Sequence, residues 1–208
     1  MPFLSFVLTM LGAVTSGSGL WFLLTGYLLV AAFIVIERTL RRGATAKTLR
    51  RGNYDRGSTL LIAAAFGAGL LLPILLDGLG VGVAFPLSLP RGLLALAVMG
   101  AGIGLRSWAA SSLGSYYTRT LVTTSGQKVV STGPYARVRH PGYLGDILLW
   151  SGFGVLSGNL VIAVLFPVMF AAIYIYRISV EEGMLVAALG DDYVEYQRRT
   201  YRLIPLVY

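Results

Sequence analysis

Tyr143 to Tyr176 reads YLGDILLWSGFGVLSGNLVIAVLFPVMFAAIYIY, and this stretch decides the fold class. It holds two apolar runs, Tyr143 to Leu156 and Leu160 to Tyr176, with Asp146 the single charged side chain in either. Ser157-Gly158-Asn159 between them is turn chemistry, so the pair predicts a helical hairpin. Three more apolar runs lie upstream: Gly19 to Ile36, Ser58 to Leu76 and Gly92 to Ala110. A bilayer core takes roughly 20 helical residues to cross, and the runs approach or reach that length.

Composition agrees with this reading. The 208 residues are 56% hydrophobic and 12% charged, with a mean hydropathy of +0.73. A soluble domain carries about 25% charged residues. The expected fold is an all-α, polytopic integral membrane protein with about five transmembrane helices, forming a single domain over residues 1–208. Pro2 to Val14 is apolar but short, and Ser16-Gly17-Ser18-Gly19 interrupts it. It lacks the positively charged start of a signal peptide, so it reads as a short interfacial or half-inserted helix.

Several function classes drop out. There is no cysteine and one histidine, which removes disulfides and thiolate nucleophiles and leaves no basis for a zinc site. No metal partner is expected. The formal charge of +8 would suggest nucleic acid in a soluble protein. Here the cations cluster beside apolar runs, which points to the cytoplasmic membrane surface, with the lipid bilayer as partner and no nucleic acid.

Loop charge sets an orientation. Arg38, Arg41, Arg42, Lys47, Arg50, Arg51 and Arg56 lie between the first two runs against only Glu37 and Asp55. By the positive-inside rule this loop is cytoplasmic. Asp77 to Pro90 holds one acid and no base and faces out. Ser111 to Gly142, with Arg119, Lys128, Arg137 and Arg139, is cytoplasmic again, as is the tail with Arg198, Arg199 and Arg202. Five spans satisfy every loop and put Ser111 to Gly142 and the tail on one side.

Polar residues concentrate on that side. Ser131 to Asp146 contains the sole histidine, two arginines, two tyrosines and two prolines directly before the hairpin. Gly133-Pro134 breaks helix, and Pro141 holds His140 away from α conformation. The segment therefore reads as an irregular loop, tolerated near a membrane where it lines a cavity or faces water. A second cluster follows the hairpin: Arg177, Glu181, Glu182, then Gly190-Asp191-Asp192-Tyr193. If the helix continues past Tyr176, Arg177 and Glu181 share a face, and Glu182 is turned about 100° away. Arg177 suits either snorkelling to the interface or clamping an anionic group.

Other features have structural readings. Gly100-Ala101-Gly102-Ile103-Gly104 lies inside an apolar run with no preceding strand, so it reads as small-residue helix packing, not a nucleotide loop. Asp191 and Asp192 read as caps of a short helix. Tyr193 and Tyr196 read as packing or interfacial anchors. Arg198, Arg199 and Arg202 read as a lipid-facing basic patch.

The pattern Gly-Pro-Tyr-x-x-x-Arg-His-Pro-x-Tyr-x-Gly, followed by an Arg and a Glu-Glu pair, Gly-Asp-Asp-Tyr-x-x-Tyr and the late Pro205, resembles the isoprenylcysteine carboxyl methyltransferase and phospholipid methyltransferase superfamily of integral membrane enzymes. The resemblance covers roughly Gln127 to Pro205. It implies an S-adenosylmethionine site on the cytoplasmic side, formed by a catalytic half at 111–208, with 1–110 as membrane scaffold. It implies methyl transfer to a lipid-like or prenylated acceptor, a carboxylate favoured. By the same resemblance Gln127, Lys128, Val129 and Val130 line the cofactor, joined by Tyr135 and by His140, Pro141, Gly142 and Tyr143. The cofactor carboxylate aligns with Glu181, with Glu182 as the register alternative, and the substrate-contacting arginine with Arg177. The implied location is a prokaryotic plasma membrane or the endoplasmic reticulum.

The residue types suit that chemistry. A sulfonium and an ammonium favour carboxylates and aromatic faces. An ionised carboxylate acceptor needs no base, and Arg177 would orient it. An amine, hydroxyl or thiol would need one, and Glu181 or Glu182 would supply it. Arg-His-Pro-Gly-Tyr-Leu-Gly-Asp and the ending Tyr-Arg-Leu-Ile-Pro-Leu-Val-Tyr also resemble sterol reductases that use NADPH, through Asp146 and Tyr208. A doubly acidic site suits a cationic cofactor better than a phosphate-bearing one. A non-enzymatic binding or transport protein on the same scaffold is the third reading.

Overall fold

The structure is a computed structural model and describes residues 19–40, 55–114 and 128–207. Among these residues, six α-helices and one short 3-10 turn account for the regular structure: α1 Gly19–Leu40, α2 Ser58–Gly78, α3 Leu89–Leu113, the turn Gly133–Ala136, α4 Pro141–Leu156, α5 Leu160–Leu189 and α6 Asp191–Arg199. The only β pairings among them are two isolated bridges. The expected helix at Pro2 to Val14, Gln127 and most of the first basic loop lie outside the described residues.

α1, α2, α3 and α5 are each long and apolar enough to cross a membrane by length and composition. The remaining expected span, α4, is shorter. α4 has 16 residues, about 24 Å at 1.5 Å per residue, short of a core of about 30 Å. Its ends are fixed by sequence: Pro141 starts it after a non-helical His140 at φ −124°, ψ 54°, and Gly158, at φ 68°, reverses the chain after it. The Asn159 side chain then caps α5 by accepting from Val161 N at 3.0 Å. No residue of α4 is exposed. It is the central helix of the bundle, so its length need not match the lipid.

Two devices let the neighbours close on α4. Glycines bring α3 and α4 to backbone contact: a Cβ on Gly102 would lie 2.5 Å from Gly145 O, and one on Gly152 would lie 2.6 Å from Ala95 O. Gly102 therefore acts as the packing residue of its glycine cluster, whereas Gly100 and Gly104 face open space. The second device is aromatic. Trp150 stacks on Phe170 at 4.9 Å and meets Phe66, Phe153 and Phe166 edge-on. Gly69 on α2 leaves room for the indole. Opposite faces carry exposed Leu28, Leu71, Leu94 and Val168, the apolar exterior that a lipid environment requires.

α5 settles where the polar residues go. The apolar run ends at Tyr176, but no proline or turn signal stops the helix before Gly190, so it continues to Leu189 over 30 residues. That is about 45 Å, roughly 15 Å more than a bilayer core. Arg177, Glu181 and Glu182 ride on this extension. Gly190, at φ 58°, then turns the chain into α6. Asp191 and Asp192 sit in the first turn of α6, where they favour the positive end of the helix dipole. They differ from the expected caps: Gly190 holds that position, and no side chain bonds the free N–H groups.

Candidate functional site

The loop before α4 is pinned by the C-terminal segment. Arg139 N donates to Tyr201 O at 2.8 Å, His140 N to Arg202 O at 3.0 Å, and Tyr201 N to Arg137 O at 2.9 Å. This pairing satisfies the backbone of an irregular segment and fixes where Arg139 and His140 point. Tyr196 anchors α6 beneath it by donating to Tyr135 O at 2.7 Å. Burial pushes the Tyr196 phenol up to about 12, and it pushes the Tyr135 and Tyr193 phenols well above their ordinary value. All three stay protonated donors through the physiological range.

The two neighbouring glutamates have opposite environments. Glu182 is buried. It accepts from Arg139 Nε at 2.7 Å and Arg202 Nε at 2.9 Å, and His140 Nε2 lies 3.3 Å from Oε1. Arg139 also donates through Nη1 to the carbonyls of Gln197 and Thr200. Glu182 is thus the hub of a clasp joining α5, the α4 entry loop and the C-terminal segment. Glu181 is half-buried and accepts a hydrogen bond from the Tyr143 hydroxyl. It makes no ion pair among the described residues. The sequence left these two glutamates as alternatives for one role, and their surroundings separate them.

Tyr143 is the centre of an aromatic stack. Its ring lies parallel to His140 at 5.5 Å and stacks on Tyr174 at 4.7 Å with a 22° tilt. Its hydroxyl also accepts from Arg177 Nε at 3.3 Å. Pro141 and Gly142 are buried in the first turn of α4, and a Cβ at Gly142 would meet the Arg106 guanidinium at 2.9 Å. Of the residues expected before the Gly-Pro-Tyr turn, Lys128 is exposed and Val129 and Val130 are half-buried, Tyr135 is buried in the turn itself, and Gln127 is outside the described residues.

Arg177 does not snorkel. It is buried and reaches across to the start of α2: Nη1 donates to Asp55 Oδ1 at 3.0 Å, Ser58 Oγ at 2.6 Å and Thr59 Oγ1 at 3.1 Å. Among the described residues no hydrogen bond uses its Nη2. Burial pushes the Asp55 carboxyl up, but hydrogen bonds from Thr59 and Ser58 together with the Arg177 charge outweigh it and hold Asp55 below its usual value.

A third cluster lies deeper. Arg106 on α3 donates through Nε to Glu37 on α1 at 2.8 Å, approaches Asp146 with Nη1 at 3.3 Å, and sits 5.9 Å from the Tyr143 ring centroid. Tyr174 donates to Asp146 at 2.5 Å. Sequence reading attached Glu37 and Asp55 to topology alone and gave Arg106 no role. The signal that would have found them is burial: a charge inside or at the end of an apolar run needs a partner. Which partner it takes is not written in the order of residues.

Comparison with known proteins adds a family likeness. Residues 93–187 match the model of the isoprenylcysteine carboxyl methyltransferase (ICMT) family. The range includes Arg106, His140, Tyr143, Arg177, Glu181 and Glu182 and stops short of Glu37, Asp55 and Arg202. The chain is 33% identical over 115 residues to "Protein-S-isoprenylcysteine O-methyltransferase" of Schizosaccharomyces pombe, covering 54% of this chain and 49% of that protein. It is 30% identical over 91 residues to a Delta(14)-sterol reductase of Mus musculus, covering 43% of this chain and 22% of that protein. The chain thus spans half or less of the length of these relatives. Among solved structures, the eukaryotic intramembrane Ras methyltransferase ICMT superposes with a TM-score of 0.57 at 20% identity, over 88% of this chain and 63% of that one. That likeness establishes the fold. In motif over residues 93–187, and in fold, this chain is similar to the ICMT family.

Proposed function

We propose that this chain transfers a methyl group from S-adenosylmethionine to a lipid-like or prenylated acceptor, a carboxylate favoured, at the cytoplasmic face of its membrane. The observation that carries the reading is the convergence of His140 and Tyr143 with Glu181 and Glu182, 42 residues apart between His140 and Glu182, around one aromatic stack. The donor set suits a cationic cofactor. The charge of Glu182 is matched by Arg139 and Arg202, whereas Glu181 is held by a neutral phenol. Glu181 is therefore the carboxylate left to meet an ammonium or sulfonium, with the Tyr143 ring beside it. Val129, Val130 and Tyr135 would close the site from the entry loop.

S-adenosylmethionine, when bound, supplies an electrophilic methyl group. The residues of the chain supply position, which accounts for most of the catalysis in an in-line displacement. Arg177, with two of its nitrogens engaged, presents Nη2 to the acceptor and orients a carboxylate that is already ionised. For a thiol, amine or hydroxyl acceptor, Glu181 would remove the proton. Reduction of a sterol-like or isoprenoid double bond with NADPH has weaker support, a shorter match to a reductase that this chain covers by less than a quarter. The basic loops between the spans support a cytoplasmic site.

Calorimetric titration of the detergent-solubilised chain tests the reading. S-adenosylmethionine and its demethylated product should bind, and NADPH should not. A tight NADPH isotherm with none for S-adenosylmethionine would replace this reading with the reductase. Binding of neither, with the chain folded, would leave a non-enzymatic role.

A further inference from the structure

The N-terminal half carries an acid whose position speaks to turnover. Asp55 precedes α2, and its Oδ1 accepts from the Thr59 hydroxyl at 2.6 Å, the Thr59 and Ser58 groups at 3.2 Å, and Arg177 Nη1 at 3.0 Å. It is 1% exposed. Asp55 Oδ2 is buried with no hydrogen-bond partner among the described residues, so the carboxylate is not spread over several cations. Its full charge faces one guanidinium. A second tie holds the same two elements together: Tyr176 donates to Arg56 O at 2.9 Å.

We infer that Asp55 is a positioning residue: it fixes the Arg177 guanidinium so that Nε meets Tyr143 and Nη2 is the edge left for the acceptor. The inference rests on the methyl-transfer reading above and extends it to a residue outside the family match. The physical argument is a chain of contacts. A planar guanidinium has five donors in a fixed fork. Anchoring Nη1 on Asp55, Ser58 and Thr59 determines where the other two nitrogens point. Nε then holds the Tyr143 hydroxyl at 3.3 Å, and the same hydroxyl donates to Glu181. Asp55 thereby sets both the acceptor-facing edge and the phenol–carboxylate pair beside the donor. Without its charge the guanidinium turns toward Glu181 or water, and the acceptor loses its fixed partner.

The test uses the full chain in detergent, S-adenosylmethionine, and N-acetyl-S-farnesylcysteine as a small prenylated carboxylate. Asp55→Asn keeps an acceptor oxygen for Ser58 and Thr59 and removes the charge. It should raise the acceptor KM about tenfold, since a small misplacement at a reacting centre can cost up to roughly 100-fold, while the dissociation constant of S-adenosylmethionine moves by less than about twofold. Combined with Arg177→Lys it should add far less than its own single effect, because the two act through one contact. Ser58→Ala, which removes one anchor of Nη1, should shift the acceptor KM the same way by a smaller factor, and it carries the test if the Asp55 variant fails to fold. A purely structural role predicts lower folded yield with wild-type KM in the folded fraction, and multiplying effects in the double variant. That result overturns the inference. A wild-type chain that methylates the probe with Asp55→Asn and Ser58→Ala both at wild-type KM overturns it alone. A wild-type chain that neither binds S-adenosylmethionine nor methylates the probe overturns the methyl-transfer reading, and this inference with it.

Discussion

Two polar clusters flank the His140–Tyr143–Tyr174 stack, and they are built in opposite ways. The clasp on one side is an acid between two guanidiniums: Glu182 held by Arg139 and Arg202, with the His140 ring beside it. On the other side single cations meet acids: Arg177 meets Asp55, and Arg106 lies between Glu37 and Asp146. The clasp is assembled within the C-terminal half. The opposing pairs reach into the N-terminal helices, 122 residues away in the case of Arg177 and Asp55. The difference teaches that the clasp ties the α4 entry loop to α5 and the C-terminal segment, while the pairs that border Tyr143 tie it to the N-terminal half.

The largest effect should come from breaking the clasp. Glu182→Ala leaves Arg139 buried without its carboxylate and should cost about 3–5 kcal/mol, read as a drop in thermal midpoint and in folded yield. Glu182→Gln, which retains an acceptor oxygen, should cost visibly less. A Glu182→Ala protein as stable as wild type would remove the clasp from the account. Next in size is the backbone contact that carries Tyr143. Gly145→Ala puts a Cβ 2.7 Å from Gly102 O and should cost about 1–3 kcal/mol through overpacking. Gly104→Ala, with open space at its Cβ, should be neutral or slightly stabilising through helix propensity. Unfolding of the two variants side by side measures the contrast. The smallest effect belongs to the exposed pairs on α6. Glu195→Ala removes contacts of 3.5 Å and 3.7 Å to Arg198 and Arg199 and should change stability by no more than about 0.5 kcal/mol. A larger loss would add Glu195 itself to the contacts that hold α6 in place.

The comparison also explains what was legible in the sequence. The hairpin, its Ser157-Gly158-Asn159 turn and the glycine packing in α3 follow from local rules, because turn residues and small side chains act on their own neighbourhood. His140 meeting the glutamate pair followed from the family resemblance, not from spacing. The enclosure of α4 was less legible: a run of apolar residues does not reveal that the helix is surrounded by its neighbours and is thereby released from matching the lipid thickness. The roles of Glu37, Asp55 and Arg106 were illegible for a related reason. Each sits beside an apolar run where topology already explains a charge, and only the three-dimensional meeting of α1, α2 and α3 with α4 and α5 pairs them.

Neighbouring glutamates with different partners give the most direct measurement. S-adenosylmethionine is titrated calorimetrically into wild type, Glu181→Gln and Glu182→Gln, with thermal midpoints recorded for each. The account predicts that Glu181→Gln loses at least about tenfold in affinity, the loss of one charge-assisted contact, with its midpoint near wild type, and that Glu182→Gln loses chiefly stability. Undiminished affinity in Glu181→Gln, or the two variants exchanging these behaviours, would contradict it.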